Sequence, residues 1–330
     1  MPLVQLIFRK TNPLFFSIEK VFASLLEELQ KNFSVQCTYL PFYNSSVPSM
    51  IRNVFFSRKL KGDVYHVTGD AHYAVLGLKA GKTILTIHDS IFIRESKGLK
   101  RVFFRWIFLR LPVRNCRFIT TISEKSKKEI LQYTGCDPAK VIVIPNPVGR
   151  NIYYREKAFN AVNPVLLFIG STPNKNLDRI IAAISGINCT LEIVGQIPAD
   201  HLFLLNKYNI RFRQFSGLSE TEMADRYAAC DVVVFPSLYE GFGLPIIEGQ
   251  KAGRIVLTSN ISPMKEVAGD GACLVSPDEA DAIRSGLEKI LGDPVYREDI
   301  IQRGFVNARR YESEQIAEQY LKLYKAISGQ

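Results

Sequence analysis

Two doubly wound α/β domains in tandem are the fold this sequence predicts, and three observations carry the prediction. Strand-like apolar runs alternate with helical ones along the chain. The alternation lapses once, in the proline- and asparagine-rich stretch PNPVGRNIYYREKAFNAVNP, and then resumes. A chain of 330 residues is long enough for about two cores. The first half reads VQLIF, the helical run FFSIEKVFASLLEELQKNF, then DVYHVT, KTILTIHD and RFITTIS, the helical EKSKKEILQYTG, and VIVIPN. This is the βαβ rhythm of a parallel sheet with helices on both faces. After the lapse come VLLFIG, LEIVG, IRFRQF, DVVVFP, IVLTS and ACLVS, with helical stretches such as EADAIRSGLEKILG between them. The last run, SEQIAEQYLKLYKAI, reads as an amphipathic helix. The expected organisation is a first domain over residues 1–155, a second over 160–310, and a terminal helix over 311–330 packing back toward the first. Ligands are expected in the cleft between the domains, at the carboxyl ends of the strands.

Composition narrows the classes. Hydrophobic residues are 47% and charged residues 22%, which fits a folded globular chain and excludes a disordered one. The six cysteines have no C-x-x-C spacing and read as reduced thiols of a cytosolic protein. Four histidines, none at metal-ligand spacing with a cysteine, give no metal site. The opening MPLVQLIFRK is too short in apolar residues for a signal peptide, so the chain is expected in the cytoplasm. No stretch reaches the roughly 20 apolar residues that cross a bilayer. The net charge of +10 is uneven: residues 1–150 hold 23 Lys and Arg against 10 Asp and Glu, whereas the remainder holds 19 against 22. Nucleic acid, anionic lipid or a phosphorylated acceptor would each explain the basic half. No nucleic-acid recognition module or aromatic-basic stacking strip is present, so nucleic acid is not expected as a partner.

The chemistry concentrates in FPSLYEGFGLPIIEGQKAG. Before it, Asp231-Val232-Val233-Val234-Phe235 is a buried strand, which Pro236 ends. Pro245 stands where a first helical residue belongs. Between them Gly241 and Gly243 permit close backbone approach, so the amides of Phe242, Gly243 and Leu244 can address a phosphate at the helix's positive end. Glu240 and Glu248 are poor phosphate ligands but good acceptors for vicinal hydroxyls of a ribose and a sugar. The loop therefore reads as a cradle for a nucleotide sugar. The plainer alternative is a Glu248 that balances the helix dipole and a solvated Glu240. A second loop, in LLFIGSTPNKNLDRIIAAI, runs from a strand through Gly170 to Lys175 and Asn176 and then into a helix. There Lys175 is either an anion's counter-charge or an ordinary exposed lysine. Loops after successive strands of one sheet converge on one crevice, which favours the former.

These blocks, the E-x7-E pair around GFGLP, DVVVFPS before it, KAGRIVLTSNISPMKEVAGDGACLVSPDE after it and FIGSTPNKNL ahead of it, resemble family 4 of the GT-B glycosyltransferases. HVTGDAHY, LTIHDS, TTISEKSKKEI and VIVIPNPV resemble that family's first-domain blocks, so the likeness covers nearly the whole chain. The resemblance implies two Rossmann-like domains facing each other across a cleft, and a nucleoside diphosphate sugar as donor substrate with no separate cofactor. It implies Glu248 on the ribose hydroxyls, Glu240 with the amides of Phe242, Gly243 and Leu244 on the donor sugar and diphosphate, and Lys175 on the leaving diphosphate. Gly170 and Ser171 would border the phosphates, and Gly217 and Leu218 the nucleobase. His88, in Ile87-His88-Asp89, would reach the donor sugar from the first domain. Catalysis would retain anomeric configuration, with the diphosphate oxygen taking the acceptor's proton, and without a D-x-D metal motif. Two departures stand out: Ser171 replaces the arginine that often follows the loop glycine, and FRKTNPLFFSIEK lacks the family's paired glycines.

The function implied is transfer of a hexose to a glycan or lipid-linked acceptor in surface polysaccharide synthesis. The alternatives are a nucleotide-sugar epimerase, disfavoured by the scarcity of histidines, and a catalytically silent nucleotide-binding subunit, disfavoured by Lys175, Glu240 and Glu248. One further segment bears on location. In SKGLKRVFFRWIFLRLPVRNCRF, aromatic residues interleave with Lys97, Lys100, Arg101, Arg105, Arg110, Arg114 and Arg117, with Lys97, Arg101 and Arg105 on one helical stripe and Pro112 expected to end the helix. It reads as an anionic membrane-surface segment at the inner face of the membrane, against the alternative of a helix packed on its own sheet.

Overall fold

The computed structural model describes residues 1–11, 17–94 and 96–330. It contains two six-stranded sheets, both wholly parallel, flanked by helices. The first comprises β1 (Leu3–Phe8), β2 (Ser34–Tyr39), β3 (Val64–Val67), β4 (Thr83–Ile87), β5 (Phe118–Thr121) and β6 (Val141–Val143), ordered β2-β1-β3-β4-β5-β6. The second comprises β7 (Val165–Ile169), β8 (Thr190–Val194), β9 (Phe212–Phe215), β10 (Val232–Phe235), β11 (Ile255–Ser259) and β12 (Cys273–Val275), ordered β12-β11-β10-β7-β8-β9. In each sheet the order reverses beside a central strand, which leaves a crevice at the carboxyl ends.

The chain divides into two compact units, one of residues 1–147 with 313–330 and one of 148–312. The core of the second unit joins Leu166, Phe168, Leu191, Ile193, Val232, Val234 and Leu257 of the sheet to Ile180, Ile181 and Ile184 of the helix Leu177–Ile184. Strands buried on both faces explain why these runs are apolar throughout instead of alternating. In the first unit one face of the sheet is covered by the helix Ser313–Ser328. Its Ile316, Ala317, Tyr320, Leu323 and Tyr324 pack with Val4, Leu6, Phe22, Val64 and Ile84. His66 on β3 is fully buried beneath that helix, with Nδ1 2.7 Å from the Tyr324 hydroxyl and Nε2 2.7 Å from Thr86 Oγ1.

Three readings need correction. The run FFSIEKVFASLLEELQKNF is not one helix: Ser17–Ala23 and Leu26–Gln30 are separate, with Ser24 and Leu25 between them, Leu25 fully buried. Residues 15 and 16 of that run, and residues 12–16 of the glycine-free first loop, lie outside the described residues. Pro112 does not end its helix. The α-helix Gly98–Phe104 passes into a π-helix, Arg105–Arg110, and Pro112 then falls in the first turn of Leu111–Arg114. The wider π turn changes which carbonyl each amide meets, so a residue lacking an N–H is tolerated. The helix after the glycine loop begins at Leu244, one residue before Pro245.

Candidate active site

The second unit gathers its candidate residues at the carboxyl ends of β7 and β10. After β7 the chain turns at Gly170, whose φ of 142° and lack of a Cβ are both needed: a Cβ would lie 2.4 Å from Lys175 Cγ. The Lys175 stem thus lies directly over the turn. Its ammonium stands 2.7 Å from Glu240 Oε1 and 4.9 Å from the centre of the Phe235 ring. Both charged side chains are largely shielded, at 21% and 13% exposure, so the pair is held more firmly than a surface ion pair. The structure therefore brings together the lysine of one loop and the first glutamate of the other.

Two asparagines lock these loops together. The Asn174 side-chain amide donates to Tyr239 O at 2.8 Å, and its backbone carbonyl accepts from Leu238 N at 2.8 Å. Asn176 is fully buried in the left-handed region (φ 70°), donating to Pro236 O at 2.9 Å and Pro277 O at 2.7 Å, while its Oδ1 accepts from Arg179. Asparagine tolerates that backbone region better than most residues and supplies the amide both carbonyls need. Neither was singled out as a site residue. Their only local signal is the PNKN pattern, because the bonds reach across 60 to 101 residues.

Past Glu240, Phe242 is buried with its ring 5.8 Å from that of Tyr311. Gly243 takes φ 116° as the N-cap of Leu244–Lys251, where no side chain caps the helix. Pro245 brings no N–H to that first turn and the Ile246 N–H already bonds Gly243 O at 3.0 Å, which leaves the Leu244 N–H without an intrahelical acceptor at the positive end of the dipole. Glu248 lies one turn further on. Tyr227, wholly buried on the helix Glu220–Ala229, donates its hydroxyl to Glu248 Oε2 at 2.6 Å. Burial, and then the adjacent Glu248 charge, raise the Tyr227 pKa well above the usual phenol, so the tyrosine remains a donor. Gly217, with φ 66°, and Leu218 lead into the Ser219 capping box that starts this same helix. Tyr227 was not foreseen: nothing near it in sequence marks it, and its partner lies 21 residues away.

Ser171 is exposed and does not approach Lys175 by any bond shown. Its Oγ accepts from Gln196 N at 2.7 Å, tying the turn after β7 to the loop after β8. His88 belongs to the first unit, directly after β4, where its Nε2–H donates to Thr68 O at 2.8 Å. Among the described residues no cluster of three His, Cys, Asp or Glu has the arrangement of a metal site, and no helix is long and apolar enough to cross a membrane.

Two parallel Rossmann-like sheets, the second carrying the Lys175–Glu240 pair and the N-terminus of Leu244–Lys251 at the ends of adjacent strands, define the GT-B class. Sequence profiles agree: glycosyl transferases group 1 matches residues 150–306 and glycosyltransferase family 4 matches residues 23–150. The chain belongs to the group 1 GT-B glycosyltransferases and is a glycosyltransferase. It is similar to O-antigen chain mannosyltransferase B of Escherichia coli, 27% identical over 84% of this chain and 77% of that protein. It is 27% identical to O-antigen chain mannosyltransferase RfbU of Salmonella typhimurium over 62% of this chain, and the match spans 60% of that relative. The match to the serotype-specific mannosyltransferase WbdA of Escherichia coli, 25% identical over 70% of this chain, spans 32% of that protein. Among solved structures, sucrose-phosphate synthase from Thermosynechococcus elongatus superposes with a TM-score of 0.78 at 16% identity, covering all of both chains. Anabaena HepE, in complex with UDP and glucose, gives 0.78 at 14% identity over 99% of this chain and all of that one. At that identity both show the shared fold.

Proposed function

We propose that this enzyme transfers a hexose from a nucleoside diphosphate sugar to a glycan or lipid-linked acceptor in surface polysaccharide synthesis, with retention of anomeric configuration and without a divalent metal. The observation that carries the reading is the Lys175–Glu240 pair set beside the uncapped N-terminus of Leu244–Lys251. A lysine fixed by a carboxylate and a helix dipole are preorganised positive charge, which is what a departing diphosphate needs and what a metal supplies elsewhere. Glu248, oriented by Tyr227, accepts the ribose hydroxyls. Glu240 accepts a hydroxyl of the donor sugar while its partner lysine turns to the phosphate. No carboxylate is assigned as nucleophile, so the diphosphate oxygen takes the acceptor's proton on the face it leaves. His88 is assigned to the donor sugar, and the basic segment 96–118 to the inner face of the membrane.

The relatives direct the choice of donor. Their names specify mannosyl transfer, and HepE has been crystallised with UDP-glucose. Full-length protein should therefore be screened by thermal shift against GDP, UDP, ADP and dTDP, since ligand binding to the native state raises stability by mass action. The nucleotide that binds is then tested as its mannose and glucose conjugates, with the anomeric configuration of the product read by NMR. A rise in melting temperature with one nucleotide and a retained configuration are expected. An inverted product would overturn the retaining mechanism, and no shift with any nucleotide would overturn the donor assignment.

A further inference from the structure

Arg254 is a buried cation, 5% exposed, that the site described above does not use. It stands between the helix Leu244–Lys251 and β11, where Gly253 at φ 72° ends the helix. The Gly253 N–H donates to Gln250 O at 3.1 Å and the Arg254 N–H to Gly249 O at 2.9 Å, the paired bonds of a glycine-terminated helix. The Arg254 backbone is thereby fixed to the residue that follows Glu248.

Its side chain makes four further bonds, all to main-chain oxygens. Nε donates to Tyr227 O at 3.0 Å, one terminal nitrogen to Ala228 O at 3.0 Å and to Arg155 O, and the other to Gly253 O at 3.2 Å. Tyr227 and Ala228 lie in the last turn of the helix Glu220–Ala229, where carbonyls lack intrahelical donors and the dipole favours a cation. A guanidinium suits that place because its planar fork serves several acceptors at once, whereas a lysine is a single point charge.

The bonds close a circuit. Glu248 accepts from the Tyr227 hydroxyl, Tyr227 O accepts from Arg254, and the Arg254 N–H returns to Gly249 beside Glu248. Tyr227 is thus tied at both ends to the helix that carries Glu248, its hydroxyl through the carboxylate and its backbone through the arginine. Without the arginine the end of Glu220–Ala229 is freed, and the carboxylate loses a fixed donor. We propose that Arg254 is a positioning residue that anchors Tyr227 and so fixes Glu248 for the ribose hydroxyls of the donor. The proposal rests on the reading of Glu248 as the ribose acceptor and makes it more specific: selection of a nucleotide that carries those hydroxyls belongs to the circuit of three residues and not to the carboxylate alone.

The test is calorimetry on full-length protein with GDP, UDP and ADP, each beside its 2′,3′-dideoxy counterpart. The unaltered protein should bind one of the ribonucleotides at least about tenfold more tightly than its dideoxy form. Arg254→Gln should loosen that ribonucleotide by about tenfold and leave the dideoxy form within about twofold, so that the discrimination closes. Over Tyr227→Phe, Arg254→Gln should add no more than about twofold, because the path it acts through is already cut. Should Arg254→Gln fail to fold, Arg254→Lys, which keeps a cation at the helix end and loses the fork, carries the same comparison. Equal loosening of both forms, or the whole loss retained over Tyr227→Phe, would make Arg254 a residue of stability alone and overturn the proposal. If the unaltered protein binds none of the nucleotides, or binds both forms equally, the ribose reading of Glu248 falls and takes this inference with it. If the unaltered protein discriminates and the Arg254 variants discriminate as well, this inference alone falls.

Discussion

Among the described residues the Tyr227 hydroxyl is partnered by Glu248. Glu248→Ala therefore removes the ribose acceptor and also strands a buried phenol, which costs about 1–3 kcal/mol of stability. Tyr227→Phe separates the two effects: it should preserve the fold and loosen the donor Kd by about tenfold through a less fixed carboxylate, against a near-complete loss of donor binding for Glu248→Ala. Calorimetry with the nucleotide would check both, and an unchanged Kd for Glu248→Ala would remove the ribose assignment. Lys175→Ala should lower kcat about 100-fold, with a much smaller change in donor Kd, if the charge acts on the departing diphosphate. The pair with Glu240 suggests a sharper form of the experiment. Adding Glu240→Gln recovers part of the loss if Lys175 only neutralises that carboxylate, and none if it acts on the leaving group. Away from the site, burial holds the His66 pKa at about 3, against an ordinary 6.5, with His88 adding a smaller push in the same direction. Below pH 6.5 the unfolded imidazole takes a proton that the folded one refuses, so stability is intact above that pH and falls as pH drops toward 3. Urea unfolding should show a loss of about 2 kcal/mol at pH 5 relative to pH 7.5 from this group, and His66→Gln should flatten that part of the slope. An unaltered slope would mean that His66 does not carry it. Lys175 and Glu240 could be placed in neighbouring loops from sequence because strand, glycine turn and helix start are local patterns. Asn176 and Tyr227 could not, since what gives each its role is a partner brought near only by the sheet.

Among the elements, the segment from Gly98 to Arg114 shows both what periodicity reveals and what it misses. Phe108, Leu109 and Val113 are buried in the first unit's core, while Leu99 is 89% exposed and Val102, Phe103 and Trp106 also face outward. The spacing suggests a stripe of Lys97, Arg101 and Arg105, but Arg105 Nε donates to Tyr133 O at 2.8 Å and Arg110 Nε to the same carbonyl at 3.3 Å. Arg105 keeps the α-helical register, its N–H bonding Arg101 O, and it leaves the stripe only through that side-chain bond, whereas the π turn shifts the residues that follow it. The exposed cations are thus Lys97, Lys100 and Arg101, beside Leu99 and Val102, with Arg114 and Arg117 further along. At about 1 kcal/mol per basic residue near an anionic surface, Lys100→Glu with Arg101→Glu should release full-length protein from anionic vesicles at low salt, whereas Arg105→Glu should chiefly reduce stability. Failure of the unaltered protein to sediment with such vesicles would remove the membrane proposal and leave the transfer chemistry standing. β2 went unnoticed for a related reason. SVQCTY is an edge strand whose residues are mostly exposed, so no buried face imposes a pattern on it. The strands inside each sheet were readable from the apolar runs that the interior of a parallel sheet requires.

At the scale of the whole molecule, the chain leaves its first unit after Pro147 and re-enters it at Ser313. The returning helix contributes Ile316, Tyr320 and Tyr324, all buried, to the seat formed by Phe22, Leu6 and Val64. At about 1.5–3 kcal/mol for each large apolar side chain, its removal costs an amount comparable with the roughly 5–15 kcal/mol that holds a domain together. A chain ending at Glu312 should accordingly expose the first unit's amide protons to rapid exchange and bind a hydrophobic dye, while the protection of residues 148–312 persists. Equal protection in both units of the shortened chain would show the helix to be an accessory. During synthesis on the ribosome this connectivity imposes an order. The unit of residues 1–147 is completed after that of 148–312, because its core lacks a wall until the helix Ser313–Ser328 has left the exit tunnel, and the unit made second is free to fold in the meantime. The interval in which the half-finished sheet shows its apolar face is set by the time taken to translate residues 148–328, so slow codons there prolong the period in which a nascent chain needs a chaperone.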